Sequence, residues 1–541
     1  MLRKLVFLLV AISSITVSGQ EEEMKRKRKS KRDTSQVILQ PQSLEIPVDD
    51  MRDDFIVVDG YEGGLLIIQD THEDVKNGEI WQFYLVSRQL EIVWTKNQVV
   101  PTGAELMGFD YSLGYFFLLF DMPRKYREFQ VMVIDVAGKQ AVRSNIELPF
   151  AMDLQFFEAL DNGILLVGQY NFRPVALVHD ILGDKPKVLP GFYNYNEQVF
   201  DLVIDEESRT FSIVLAEKMR NGKYTNRIKS FTFEGLVIEE NLINPGEELN
   251  LIDGTTTNFG GGIQYMAGTY SKKTSLYSRG LYISKFVNGQ QKFLKSHNYG
   301  DLSNFFAYRG DRAAKRITRK VERKKAKGKE PKFSFRLYIH DIVQFKDKNV
   351  LIAEAYYAKY STSTSSSTYG SAFYNPYSLR RDPSGESIYR NFIGFKFTHA
   401  IVLAFDSNGE IIWDNSFRTN DITSYNLEES VAVNIQGENA VLMYLDDNEI
   451  KSKAVAGSDV IEDKTYTPIK LMKDGDKIKG GDEENQGVET WYDNYLYSYG
   501  LYRIRNKNHP RPKTRRVFLI NKIQFDSEVV KDEDSKFKVS P

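Results

Sequence analysis

From Phe55 onward, apolar residues alternate with polar ones or gather in runs of four to eight rich in Val, Ile, Leu, Phe and Tyr, with short polar turns between them. A period of two in β-branched and aromatic residues predicts strands. One hairpin, two apolar runs around a tight turn, recurs with starts at 55, 106, 154, 200, 253, 337 and 429, as in FIVVDGYEGGLLIIQD and LQFFEALDNGILLVGQY. A second hairpin follows each first one, from 79, 129, 175, 228, 281, 400 and 517. Seven inner hairpins alternating with seven outer ones predict an all-β chain forming a single seven-bladed β-propeller of four-stranded blades. The repeat of about 45 to 55 residues suits a propeller blade. The rival is a pair of β-sandwiches, which also give short strands but have no reason to repeat a four-strand unit in register. Residues 37–47 are expected to pair with the last blade and close the ring.

The apolar code stretches at three places, read as insertions at 298–332, 356–391 and 446–516, which put the long additions in and next to blades six and seven. If strand directions alternate, all three emerge on one face of the disc, opposite minimal turns such as Asp161-Asn162-Gly163 and Gly437-Glu438-Asn439. Long loops gathered on one side of a rigid scaffold are where binding residues are expected. That face mixes basic and aromatic side chains, giving a candidate partner-binding set of Arg124, Lys125, Tyr126, Arg127, Lys223, Tyr224, Lys272, Lys273, Tyr277, Tyr374, Tyr377, Arg380 and Arg381. Within the first insertion, RAAKRITRKVERKKAKGKEPK from 312 is expected either as a short basic helix with Ile317 and Val321 as an i, i+4 apolar pair, or as a solvated strip. Gly480-Gly481-Asp482-Glu483-Glu484 in the third keeps the face from being uniformly positive.

The hairpin AFDSNGEIIW, where an Asp, a Gly and a Trp punctuate the turn, resembles the outer hairpins of WD-like and quinoprotein-like propellers, and Trp94 and Trp413 fill the Trp position. The chain's richness in Tyr, Phe, Lys and Asn, with an apparent export signal and no cysteine, is similar to exported proteins of Bacteroidota. In that setting the resemblance implies an accessory or partner subunit of an outer-membrane or secretion assembly.

Composition narrows the chemistry. The chain of 541 residues carries 72 Lys and Arg against 73 Asp and Glu, a formal net charge of −1, so any electrostatic function is local. It has no cysteine, which excludes disulfides, thiolate nucleophiles and Cys-ligated metals. Residues 1–19, with Arg3 and Lys4 before the apolar run 5–12 and small residues ending at Gly19, read as a removed signal peptide; the run is too short for a membrane anchor. Residues 20–36 form a charged tail, 37–530 the propeller and 531–541 a C-terminal tail, with a periplasmic or secreted mature chain expected. The six histidines show no metal-ligand spacing, and no nucleophile elbow, zinc-binding helix, phosphate loop or dinucleotide fingerprint is present. No cofactor, metal or nucleic acid is expected, and no residue nominates itself as catalytic. The leading expectation is an exported, non-enzymatic propeller that binds an envelope protein through its insertion-bearing face. A carbohydrate-binding or carbohydrate-active propeller is the alternative, with paired acids in the central funnel. Acidic and aromatic residues in the funnel would favour sugar, and their spread over the rim a protein.

Overall fold

The computed structural model describes residues 33–526, except 123–124, 126, 184, 347, 361–391, 420–421 and 509–511. Thirteen of the fourteen expected hairpins form, and the described residues build eight antiparallel sheets, not seven. Blades 1 to 7 span 54–101, 105–147, 153–188, 197–242, 250–298, 336–418 and 432–468. Blade 8 takes three strands from 476–525, and its fourth, outermost strand is Ile38–Pro47, paired antiparallel with Thr514–Phe525. This is the expected ring closure. The run from 517 is therefore one strand, whose partner is this N-terminal segment.

The stretch 446–516 is not an insertion. It holds Glu449–Ala456 and Asp459–Pro468, the outer half of blade 7, then Asp476–Thr490 and Tyr495–Asn506, the inner half of blade 8. Their apolar signature is weak because polar side chains fill buried positions. Lys453 is buried and donates to the Ser416 carbonyl at 2.8 Å, Lys451 pairs with Asp446, and Ser452 bonds Thr465 at 2.6 Å. The acidic stretch from Gly480 lies where the inner strand of blade 8 breaks register between Gly481 and Gln486.

Each of the eight blade interfaces holds its own apolar cluster. Val58, Leu66, Phe83, Phe116 and Met132 lie between blades 1 and 2; Val350, Val402, Trp413, Val431 and Tyr444 lie between 6 and 7. Blades buried on both faces explain the near-continuous apolar runs of their central strands, such as the fully buried Ile164 to Val167. In the turn of AFDSNGEIIW, Asp406 Oδ1 accepts the Asn408 and Glu410 N–H groups at 2.9 Å each, and Gly409 takes φ +75° where a side chain is disfavoured. Trp413 then packs into the interface with blade 7.

Because strands alternate, second-to-third turns and inter-blade connections share one side, called here the loop face. The first-to-second turns lie opposite. The first strand of each blade is innermost, and in blades 2 to 6 it carries a register shift: Leu106/Gly108, Leu154/Phe156, Val199/Asp201, Leu251/Asp253 and Ile339/Ile342. A bulge re-aims the side chains that follow it.

Candidate functional site

The connection between blades 5 and 6 is the expected basic helix, α1, Asp311–Lys325. It is docked. Val321 is buried, and Ala314 and Ile317 pack on the cluster between blades 5 and 6, which also holds Tyr299, Phe305 and Phe306. Upstream, Phe305 stacks on Tyr299 with centroids 4.5 Å apart, and Tyr308 lies 3.7 Å over the His399 ring at 6°. Asp414 fastens the same segment by accepting the Ser303 and Asn304 N–H groups at 2.8 and 2.7 Å. With its apolar stripe committed, α1 turns Arg312, Arg316, Arg319 and Lys320 to solvent, and no acid within ion-pair distance is found for them among the described residues. Arg309, Arg312, Arg316 and Lys320 border a groove of about 620 Å³ floored by Ala313 and Ile317.

The basic rim expected from sequence differs from this. Lys125 pairs with Glu128 at 2.5 Å, Arg127 donates to the Leu148 carbonyl at 2.8 Å, and Lys223 donates to the Glu247 carbonyl. Lys272 pairs with Glu330 at 2.7 Å, tying blade 5 to the tail of the insertion. Tyr277 lies under the Arg336 guanidinium at 4.9 Å, the Tyr224 N–H donates to Asn250 at 2.9 Å, and Lys273 is exposed. These residues sit on the loop face at blades 2, 4 and 5, and all have partners inside the protein, Lys273 through its carbonyl, which accepts from the Ser271 hydroxyl and the Ser275 N–H. Arg124, Tyr126, Tyr374, Tyr377, Arg380 and Arg381 lie outside the described residues.

The central channel gathers acids that the sequence reading left unplaced. Asp59, Asp110 and Glu158 come from the innermost strands of blades 1, 2 and 3, and Glu206 follows that of blade 4. Burial pushes Asp59 up to about 7, and Asp110 up to about 6 against the Ala159 and Tyr111 N–H groups that it accepts at 2.7 Å each and its bond to Glu158. Burial raises Tyr61 too, helped by Asp59, Asp110, Glu206 and Glu158, although half of the ring is wetted by the channel. In blade 8, which flanks blade 1 in the closed ring, Glu489 accepts from Tyr499 at 3.0 Å and from Tyr497, burial lifts its carboxyl above the usual range, and its charge adds to the upward push on Asp59.

Between blades 6 and 7, Glu354 has no exposed surface and accepts the Ser430 N–H at 2.8 Å, the Val431 N–H at 3.1 Å and the Ser430 hydroxyl. His340, on the bulge of blade 6, places Nε2 3.2 Å from Glu354 Oε1 and Nδ1 3.7 Å from Glu429 Oε1. Burial alone would depress this imidazole; Glu429, Glu354 and Asp341 outweigh it and hold His340 up to about 9. His340 therefore sits between Glu354 and Glu429 across this interface, in surroundings that favour its protonated form. The opposite case is His399, which burial and Arg309 push down to about 3, so it stays neutral under Tyr308. Sequence spacing could not separate two histidines that both lie in strands.

Asp70, His72 and Glu79 of blade 1 bring potential ligand atoms within 4.8 Å of one another, and His72 is already engaged by the Arg52 carbonyl at 3.0 Å and Asp54 at 3.4 Å. No helix among the described residues is long and apolar enough to cross a membrane.

No known protein family matches the sequence, and no curated protein matches it. Solved structures match by shape. The polysaccharide lyase Uly1 covers 90% of this chain and 100% of its own at 10% identity and a TM-score of 0.38. A quinohemoprotein alcohol dehydrogenase of Pseudomonas putida covers 90% and 76% at 8% identity and 0.40. The propeller domain of the Trilobed protease from Pyrococcus furiosus covers 76% and 97% at 11% and 0.34. At these identities the likeness is one of fold, a β-propeller with quinoprotein-like neighbours.

Proposed function

We propose that this protein is a non-enzymatic binding propeller whose loop face docks a macromolecular partner with an acidic surface, as an accessory subunit of a larger assembly of the cell envelope. One observation carries the reading: α1 is anchored through an apolar stripe while Arg312, Arg316, Arg319 and Lys320 face water with no acid in ion-pair distance among the described residues. Cations fixed on a rigid element steer an acidic partner and keep their charge for it. The rim cations Lys125, Arg127, Lys223 and Lys272, already bonded internally, contribute mainly to loop order.

The test is retention of partners by the tagged mature chain from solubilised envelopes at low and high salt. A partner held at low salt and lost by Arg312→Glu/Arg316→Glu/Lys320→Glu supports the proposal. Retention unchanged in that variant sinks it. Replacing Lys125, Arg127, Lys223, Lys272 and Lys273 together should lower stability more than retention.

The convergence of Asp59, Asp110, Glu158 and Glu206 with Tyr61 in the channel favours a second reading, a small polar or sugar ligand bound in the funnel. Asp110→Ala and Glu158→Ala should then abolish binding in a glycan array that wild-type protein scores on.

A further inference from the structure

Blades 3 and 4 carry a second feature on the loop face, apart from α1. Phe150 lies in the connection into blade 3, Tyr170 to Arg173 surround the turn between its second and third strands, and Tyr193 and Tyr195 lie in the connection to blade 4. Phe150 stacks on Tyr170 at 4.9 Å and 23°, and Tyr170 on Tyr193 at 6.2 Å and 20°. The Arg173 guanidinium carbon sits 4.3 Å from the Tyr193 centroid and 3.5 Å from that of Tyr195. Phe172 and Tyr195 nevertheless keep 76% and 73% of their surface exposed.

Folding does not account for this arrangement. Asn171 and Phe172 take φ +50° and +61°, a tight hairpin turn whose second centre favours glycine, yet a bulky ring stands there in water. Tyr193, at φ +89°, is further into the region that side chains avoid. Arg173 has no acidic partner within ion-pair distance among the described residues, and its buried Nε has no hydrogen-bond partner. Two tyrosine rings hold the guanidinium in place while its charge goes unanswered.

We infer that this platform binds a carboxylated polysaccharide, with pyranose rings lying against Phe172 and Tyr195 and a uronate carboxylate received by Arg173. Exposed ring faces exclude water from the flat C–H surface of a sugar, and a pinned guanidinium presents paired donors to a carboxylate. The exposed residues Asn171, Asn194 and Asn196 border the rings and offer amide donors and acceptors for hydroxyls. An acidic peptide motif is usually met by a cluster of arginines, whereas a single guanidinium, that of Arg173, lies over these rings. The inference is independent of partner docking at α1.

The experiment measures binding of the full mature chain to polygalacturonate by affinity electrophoresis and titration calorimetry, with dextran and poly-L-glutamate as neutral and peptide comparisons. Polygalacturonate should bind at least tenfold tighter than either. Arg173→Gln should weaken it at least tenfold. Phe172→Gly should weaken it similarly while leaving the melting temperature unchanged or higher, because glycine suits the turn; this separates binding from folding. Absence of polygalacturonate binding by wild type, equal binding of poly-L-glutamate, or wild-type affinity in both platform variants overturns the inference. So does loss of binding only when Arg312, Arg316 and Lys320 are replaced, which would assign the polymer to α1.

Discussion

The contact between Glu354 and His340 gives the sharpest quantitative expectation. Glu354→Gln keeps an oxygen for the Ser430 and Val431 N–H groups and removes only the charge that faces His340. Raising the imidazole from about 6.5 to about 9 corresponds to about 3 kcal/mol of differential interaction. Glu429 and Asp341 share in it, and breaking a buried pair costs about 3–5 kcal/mol when nothing compensates. The expected loss is therefore about 2–4 kcal/mol at pH 6. Unfolding entropy of about 2.1 cal/mol/K per residue makes the midpoint of a chain this long move by about 1 °C per kcal/mol, giving a fall of about 2–4 °C. The sign of the pH dependence follows from the direction of the shift. A histidine raised in the folded state stabilises fully below its unfolded value near 6.5, and that stability is lost as pH rises through about 9. The difference between variant and wild type should shrink to under about 1 °C at pH 10, where His340 is neutral in both. Thermal denaturation followed by circular dichroism at pH 6, 8 and 10 measures it, with Glu354→Gln/His340→Gln as the partner variant that should recover part of the loss at pH 6. An equal deficit at all three pH values would refute the charge pairing and leave Glu354 a backbone anchor only.

Asp59→Asn should raise the midpoint at pH 8 and leave it unchanged below pH 4. A carboxyl raised to about 7 by burial favours the folded state while protonated, so the stabilisation is lost as pH rises from about 3.8 to about 7; the amide oxygen still accepts the Tyr61 N–H. Ile46→Ala, in the closing strand and almost fully buried, should cost about 2–5 kcal/mol, whereas Leu39→Ala on the same strand, half exposed, should stay within about 0.5 kcal/mol. Phe305→Ala, at the anchor of α1, should release the helix: limited trypsin digestion should cleave between Arg312 and Lys325 much faster than in wild type, and salt-sensitive partner retention should fall with it. A cleavage pattern like that of wild type would show the helix held by other contacts.

Six blades were legible because their central strands spend apolar residues on both faces, as in Ile164 to Val167 and Ala400 to Ala404. The seventh and eighth merged into one because the second half of blade 7 buries Lys451, Ser452, Lys453, Thr465 and Thr467, polar groups that pair within the blade, as Ser452 does with Thr465, or with another blade, as Lys453 does with the Ser416 carbonyl of blade 6. No hydropathy pattern carries that information. The helix within 298–332 was visible from its i, i+4 pair, but its docking rests on Phe305, Phe306 and Tyr308 meeting Asp414 and His399 from blade 6, more than 90 residues on. Of the described rim residues, Lys125, Arg127, Lys223, Lys272, Lys273 and Tyr277 lie in loops, while Tyr224 opens a strand; a partner such as Glu330 for Lys272 emerges only when the loops are folded together. The channel acids were hidden for the same reason, since Asp59, Asp110, Glu158 and Glu206 are spaced like ordinary strand-end residues.

The closing of blade 8 by Ile38–Pro47 also sets an order of events at the ribosome. Arg515, which pairs with Glu45, follows it by 470 residues. At about 5–20 residues per second, the first strand waits about 25 to 95 s before its partner is made. Until then the ring is an open stack with an unpaired strand at each end, the condition in which sheets recruit the wrong neighbour. Synthesis rate and any escort for the nascent chain thus govern the yield of closed rings, even if the finished ring is stable.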